Sequence, residues 1–254
     1  MKTVIVVHPD YSFLKEYTEQ IPTHFGGLSE VLYHDRNIIK ADEVGTNKLV
    51  IKSYGRVYLT NKIRYSFFYP SKAERAYLYG LKLMEKGFHT PQPVAYVECY
   101  EDGLLINSYF ISEFTDFLPL SSVIKSGDDL LIKELTQFTH HLHSQGIYHM
   151  DFSRGNILCK KENGQYKFAL IDNNRMRFGK FSYSLRLKNF QRLGLSDVQI
   201  VTVAREYSRL ENADERKTIE ELFQIVRKHE KKHVLKKSAK RFVSKFVQSL
   251  AASF

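Results

Sequence analysis

The 254 residues contain no tryptophan, two cysteines and six prolines, and no apolar run approaches the roughly eighteen residues that read as a membrane-spanning helix. Each scarcity excludes something. Cys99 and Cys159 are too few for a disulfide framework and lack the CxxC or Cys/His spacing of a zinc site, so both read as reduced thiols, with a cytoplasmic location as the expectation. The opening "MKTVIVVHPDY" reaches His8 and Pro9 after too few apolar residues to form a secretory signal core. Glycine and proline are too sparse for a fibrous or low-complexity chain. No aromatic RNA-binding motif such as RNP1 occurs, which argues against a nucleic-acid partner.

What is present is enough for a core. Hydrophobic residues make up 43% and charged residues 26% of the chain, the composition of an ordinary globular protein of one large domain or two lobes. The net charge of +10 is unevenly spread. Between Arg227 and Lys245 ("RKHEKKHVLKKSAKRFVSK") nine Lys or Arg face one Glu, leaving the rest nearly neutral. Ala239, Phe242, Val243, Phe246, Val247 and Leu250 recur at helical spacing, so residues from about 227 to 254 read as a basic amphipathic tail. Such a tail can pack on protein or lie on an anionic membrane surface.

Residues 30 to 60 read as three strands, "EVLYH", "NIIKADEVG" and "NKLVIKSYG", rich in β-branched residues. Ser71 with Glu74 forms a capping box for an amphipathic helix closed by Gly87. Two further strands flank the Glu101-Asp102-Gly103 turn and end at Glu113. The pattern then turns helical, with Asp128 or Asp129 as a cap and Gly146 as a stop. "NILCK" and "YKFALID" flank an Asn163-Gly164 hairpin signal, and from about residue 182 the chain reads as helix, with caps near Ser196 and Asn212. The expected boundary separates a sheet-rich 1–117 from a helical 118–254.

The chemistry concentrates in "YHMDFSRGNIL". Asp151 and Asn156 lie five apart, and Asp172 ends the strand beyond the hairpin, which would bring Asn156 and Asp172 to one end. An amide oxygen and a carboxylate are hard donors suited to Mg²⁺ that keeps waters and binds substrate phosphates. Asp151 is then left to meet a hydroxyl, the division that phosphoryl transfer requires. Upstream, Lys52 ends a strand and Glu74 opens the next helix, so a lysine gripping nucleotide phosphates would have a carboxylate partner to fix it.

"HMDFSRGNIL" resembles the catalytic loop H-x-D-x-x-x-x-N of protein-kinase-like enzymes, "LVIK" resembles their strand lysine motif, and "LIDNN" stands where D-F-G would be. Ser153 stands where eukaryotic protein kinases place a lysine or arginine, Asn173-Asn174 replaces Phe-Gly, and no A-P-E follows. The D-x-S-x-x-N form is similar to RIO-type and lipopolysaccharide kinases. "SKAERAYLYGLKLMEKGFHTPQPVAYVE" with "LLINSYFISEF" resembles bacterial lipopolysaccharide core (Kdo or heptose) kinases over about residues 30 to 195.

The resemblance implies a two-lobed α+β kinase-like fold with ATP between the lobes. It further implies ATP- and Mg²⁺-dependent phosphorylation of a lipid-linked sugar acceptor at the inner face of the inner membrane. In this pattern the histidine, His149, acts as a scaffold of the loop rather than as the base. The turn "HDRNIIK" holds no glycine for a phosphate-covering loop, and Arg36 and Asn37 are the side-chain donors that could replace it. Two other readings stand beside this one. One is an atypical RIO-like protein serine kinase; the other is a non-catalytic scaffold that binds ATP or nucleic acid, suggested by the missing glycine loop and the basic tail. His140, His141 and His143 invite a metal reading, but no carboxylate stands at ligand spacing, and a packed or solvated helix face accounts for them better.

Overall fold

The computed structural model describes residues 2–35, 37–55, 65–66, 68–124 and 128–251, with side chains through 235 and at Ser238. In chain order the principal elements begin with β1 (Lys2–Val7), α1 (Lys15–His24), β2 (Glu30–His34), β3 (Ile38–Val44), β4 (Asn47–Ser53) and α2 (Lys72–Glu85). Next come β5 (Pro93–Glu101), β6 (Leu104–Glu113), β7 (Leu118–Pro119), α3 (Asp129–Ser144) and β8 (Ile147–His149). The chain closes with β9 (Ile157–Glu162), β10 (Gln165–Leu170), α4 (Asp197–Glu211) and α5 (Glu215–Ala251).

Contacts divide the chain into two compact groups. The first joins Met1–Leu120 with Asn156–Asn163 and Lys167–Met176; the second joins Ser121–Gly155, Gly164–Tyr166 and Arg177–Phe254. Where the sequence places a single break near residue 117, the hairpin that ends at Asp172 packs with the sheet-rich group.

In the first group six strands form one antiparallel sheet in the order β1-β5-β6-β4-β3-β2. Strand alternation sorts its two faces. Leu49 and Ile51 of β4, Ala95, Val97 and Cys99 of β5, and Tyr109 and Ile111 of β6 pack in one core with Leu14, Ile21, Phe25 and Leu28 from the α1 region. The intervening residues face α2: Lys52 stands opposite Phe110, and Phe110 opposite Tyr96. Ala73, Ala76 and Tyr77 of α2 pack there against Tyr54 and Tyr96.

Helix α2 starts where the capping logic requires, with Ser71 Oγ accepting the Glu74 N–H at 3.1 Å. Its buried Ala73, Ala76, Tyr77, Gly80 and Leu83 recur every three or four residues. Strands β9 and β10 turn through Asn163 and Gly164, both at positive φ, the geometry of a type I′ hairpin. Strand β7 joins β9, with Leu118 opposite Cys159. Strand β1 and helix α1 are additions to the elements expected from sequence; β1 pairs with β5 along its whole length, from Lys2 opposite Tyr100 to Val7 opposite Ala95.

The second group is mainly helical. Asp128 Oδ1 caps α3 through the Leu131 N–H at 3.0 Å, and Leu131, Ile132, Leu135, Thr139, Leu142 and His143 form its buried stripe. Ser196 and Gln199 form a reciprocal capping box on α4, which ends at Asn212 in the left-handed region. Helix α5 runs 37 residues, with Leu222 and Val226 buried near its start. The expected apolar stripe at Ala239, Phe242, Val243, Phe246, Val247 and Leu250 lies outside the described side chains.

Candidate active site

The first group brings the strand lysine to the hairpin aspartate. Lys52 Nζ donates to Asp172 Oδ1 at 2.5 Å, with 14% and 22% of the two side chains exposed. The ammonium also lies 5.2 Å from the centre of the Tyr54 ring. Asp172 is held there by the backbone around it. The Ile171 N–H donates to Asn156 O and the Leu170 N–H to His89 O, both at 3.0 Å, while Thr90 Oγ1 donates to Leu170 O at 2.7 Å. The hairpin therefore sets Asn156 and Asp172 at one end of the ladder.

Asp172 itself sits in the left-handed region at φ 59°, ψ 42°, a conformation that aspartate and asparagine tolerate better than other side chains. The two asparagines that follow it are buried. Asn174 Nδ2 donates to Asp172 Oδ1 at 2.6 Å and approaches the Tyr54 hydroxyl at 3.4 Å, and Asn173 Nδ2 donates to Thr90 Oγ1 at 2.9 Å. Burial first, and then the Asp172 charge, push the Tyr54 phenol far above its ordinary range, so it remains a neutral wall of the site.

The expected pairing of Lys52 with Glu74 is corrected by these contacts: Lys52 pairs with Asp172. Glu74 is drawn to its own helix start, where the Ser71 N–H and Arg75 favour its charge. Desolvation and the neighbouring Glu98 outweigh both and raise the Glu74 carboxyl above its usual value. Glu98 is buried and accepts from the Tyr100 hydroxyl at 2.9 Å, so two carboxylates share the α2 face of the sheet.

The second group carries the loop aspartate. The Asp151 N–H donates to His149 Nδ1 at 3.0 Å, which leaves that nitrogen unprotonated and fastens the loop to a buried ring. Asn189 Nδ2 donates to His149 O at 2.9 Å. Asn189 Oδ1 lies 2.8 Å from His143 Nε2, and the Tyr207 hydroxyl 2.8 Å from His143 Nδ1. Because an amide oxygen can only accept, Nε2 carries the proton and Nδ1 receives the Tyr207 hydroxyl. Burial pushes the His143 imidazole down to about 4. His143, invited as a metal ligand by its spacing, is instead the base of a relay supporting the loop, and His140 pairs with Glu211 at 2.8 Å.

Asp151 is not the uncommitted carboxylate that the sequence implies. Arg192 Nη1 forms an ion pair with its Oδ1. Nothing local announces this contact, since Arg192 lies 41 residues downstream. Asn174 and Tyr54 are further residues that the motif reading missed; their signal was adjacency, two residues beyond Asp172 and two beyond Lys52. Of the donors expected to replace a glycine loop, Arg36 lies outside the described residues. Asn37 Oδ1 is buried and lacks a hydrogen-bond partner among the described residues.

Asp172 and Asn156 offer one carboxylate and one amide oxygen, the sparse hard donor set with which Mg²⁺ is held alongside water and phosphate. Among the described residues no cluster of three or more His, Cys, Asp or Glu is placed to hold a metal.

A family model for the lipopolysaccharide kinase (Kdo/WaaP) family matches residues 45–213, about two thirds of the chain. The chain belongs to this family. It is a phosphotransferase whose acceptor is a sugar hydroxyl of the lipopolysaccharide core. Among solved structures, WaaP in complex with acyl carrier protein matches at 18% identity and a TM-score of 0.61, covering 90% of this chain and 98% of that one. That likeness shows the protein-kinase-like α+β fold, with an antiparallel sheet and one helix followed by a mainly helical part. The Rio2 kinase–ADP/Mg²⁺–phosphoaspartate complex from Chaetomium thermophilum matches at 18% identity and a TM-score of 0.48, covering 89% of this chain and 78% of that one. No curated protein sequence matches significantly.

Proposed function

We propose that this kinase transfers the γ-phosphoryl group of ATP to a lipid-linked sugar with Asp151 as the proton acceptor and Lys52 as the phosphate-binding cation. Asn156 and Asp172 would hold Mg²⁺, which when bound neutralises phosphate charge. Lys52 carries the ammonium that meets nucleotide phosphates, His149 fixes the loop, and Glu74 lies on the nucleotide side as part of the α2 start. Arg36 and Asn37 supply side-chain donors in place of a glycine loop. The observation that carries this reading is the Lys52–Asp172 contact, which joins two residues 120 apart in the order that kinase chemistry needs.

The basic segment beyond about residue 226 is proposed to hold the enzyme peripherally on an anionic inner-membrane face. Among the described residues no helix is long and apolar enough to cross a membrane. Val234 and Leu235 are exposed beside Lys231 and Lys232, the mixture of apolar and cationic side chains that suits an interfacial helix.

The decisive measurement is ATP turnover with and without a Kdo-containing lipid A precursor, comparing wild type with Asp151→Asn. Turnover that needs the lipid and falls by about 10² or more in the variant supports the reading. Lipid-independent turnover that survives the substitution overturns it.

A further inference from the structure

The catalytic loop has a serine at Ser153, where a cation stands two residues past the aspartate in eukaryotic protein kinases. A cation reaches Asp151 all the same. Arg192 closes the turn Lys188–Arg192 and donates from Nη1 to Asp151 Oδ1. Its seat is built rather than incidental. Within the turn, Asn189 and Phe190 are buried, Asn189 ties to His149 O, and the Leu193 N–H returns to Phe190 O at 3.2 Å.

The loop answers with an arginine of its own. Arg154 donates from Nε to Leu193 O and from Nη2 to Gly194 O. Gly194 has φ +56°, a left-handed backbone that favours glycine where Arg154 crosses it. Residues 151–154 and 192–194 thus brace each other, each segment lending a guanidinium to the other. A mobile surface ion pair has no such frame and contributes little.

We propose that Arg192 is a positioning residue for phosphoryl transfer, supplying in space the cation that Ser153 lacks in sequence. In the transfer, the acceptor hydroxyl oxygen bonds to the γ-phosphorus and the bond to the β–γ bridging oxygen breaks. ADP leaves with that electron pair, and the hydroxyl proton passes to Asp151. The protein's contribution to so loose a transition state is mostly placement. A guanidinium on Oδ1 fixes the rotation of the Asp151 carboxylate with the directional hydrogen bonding that a lysine point charge supplies less well.

This inference rests on Asp151 being the proton acceptor. The test is steady-state phosphorylation of the Kdo-containing lipid A precursor by full-length wild type, R192A, R192K, R192A/S153K and D151N. R192A should lose about 10²-fold in kcat, the scale of a misplaced catalytic group, while KM for ATP stays within about twofold. R192K should retain more activity than R192A. Guanidinium ion added to R192A, or the S153K change within it, should restore kcat by about tenfold, a recovery that a purely structural arginine would not give. Wild-type kcat in R192A, or no recovery from either the added guanidinium or S153K, overturns the proposal. An active D151N would overturn the assignment of the base itself, whereas inactive D151N beside normal R192A would remove only the role of Arg192.

Discussion

Lys52 Nζ and Asn174 Nδ2 converge on the same atom, Asp172 Oδ1, at 2.5 and 2.6 Å. Two donors on one carboxylate oxygen keep a mostly buried charge satisfied, and they couple the lysine proposed to meet nucleotide phosphates to the aspartate proposed to hold Mg²⁺ before any substrate is considered.

The first expectation concerns those donors. Asn174→Ala removes one of them without touching the charge pair. The concentration of Mg²⁺ needed for half-maximal turnover should rise by about tenfold, in the range found when residues that orient a metal ligand are removed. Lys52→Met should instead weaken ATP binding itself, by about tenfold or more for a lost charge-assisted bond. Titration calorimetry with ATP and a Mg²⁺ activation curve separate the two; identical effects from both variants would contradict this division.

Glu74 offers a second expectation, of opposite sign to a supporting ion pair. Its carboxyl is raised by desolvation and by Glu98, so the folded state favours the neutral acid, and that preference is lost as pH rises through the folded value. Glu74→Gln should therefore raise the thermal midpoint at pH 8 and leave it nearly unchanged at pH 4. A lower midpoint at pH 8 would indicate a salt-bridge role for Glu74.

The His143 relay makes stability depend on acid. The imidazole falls from 6.5 to about 4 on folding, so between those values the unfolded chain holds a proton that the folded chain refuses. Stability is complete above the unfolded value and decreases as pH drops through the window, by about 2 kcal/mol from pH 7 to pH 5. Urea midpoints at the two pH values measure it. His143→Gln, whose amide does not titrate, should be less stable at pH 7 but lose about 2 kcal/mol less than wild type on acidification.

Removing residues after about 226 should weaken sedimentation with anionic vesicles, since each Lys or Arg near an acidic leaflet contributes on the order of 1 kcal/mol. Neutral vesicles are the control. Equal sedimentation of the truncated and full chains would argue that the basic helix serves packing instead.

Local patterns in the sequence foretold local structure. The Asn163-Gly164 turn, the Ser71 and Asp128 caps and the Ser196 capping box each depend on residues within three or four positions, where spacing carries the information. The side-chain partners were another matter. Lys52 had two carboxylates in kinase order, and only the fold decides that Asp172 reaches it while Glu74 stays with its helix cap. Strand β1 was readable as a short apolar run, yet its place depends on pairing with β5 nearly a hundred residues later. Asn173 and Asn174 look like turn residues because their burial arises from Thr90 and Tyr54, contacts 83 and 120 residues distant.

The left-handed backbone at Asp172 also bears on how such a kinase could fall silent. A glutamate there would have to carry a longer side chain through a conformation that few residues accept, so even a change that keeps the charge meets a backbone penalty. Asparagine fits that conformation as readily as aspartate and keeps an oxygen for the Lys52 and Asn174 donors. The exchange of aspartate for asparagine takes a single base change in the codon, so a well-folded chain without the carboxylate proposed to hold Mg²⁺ lies one mutational step from this sequence.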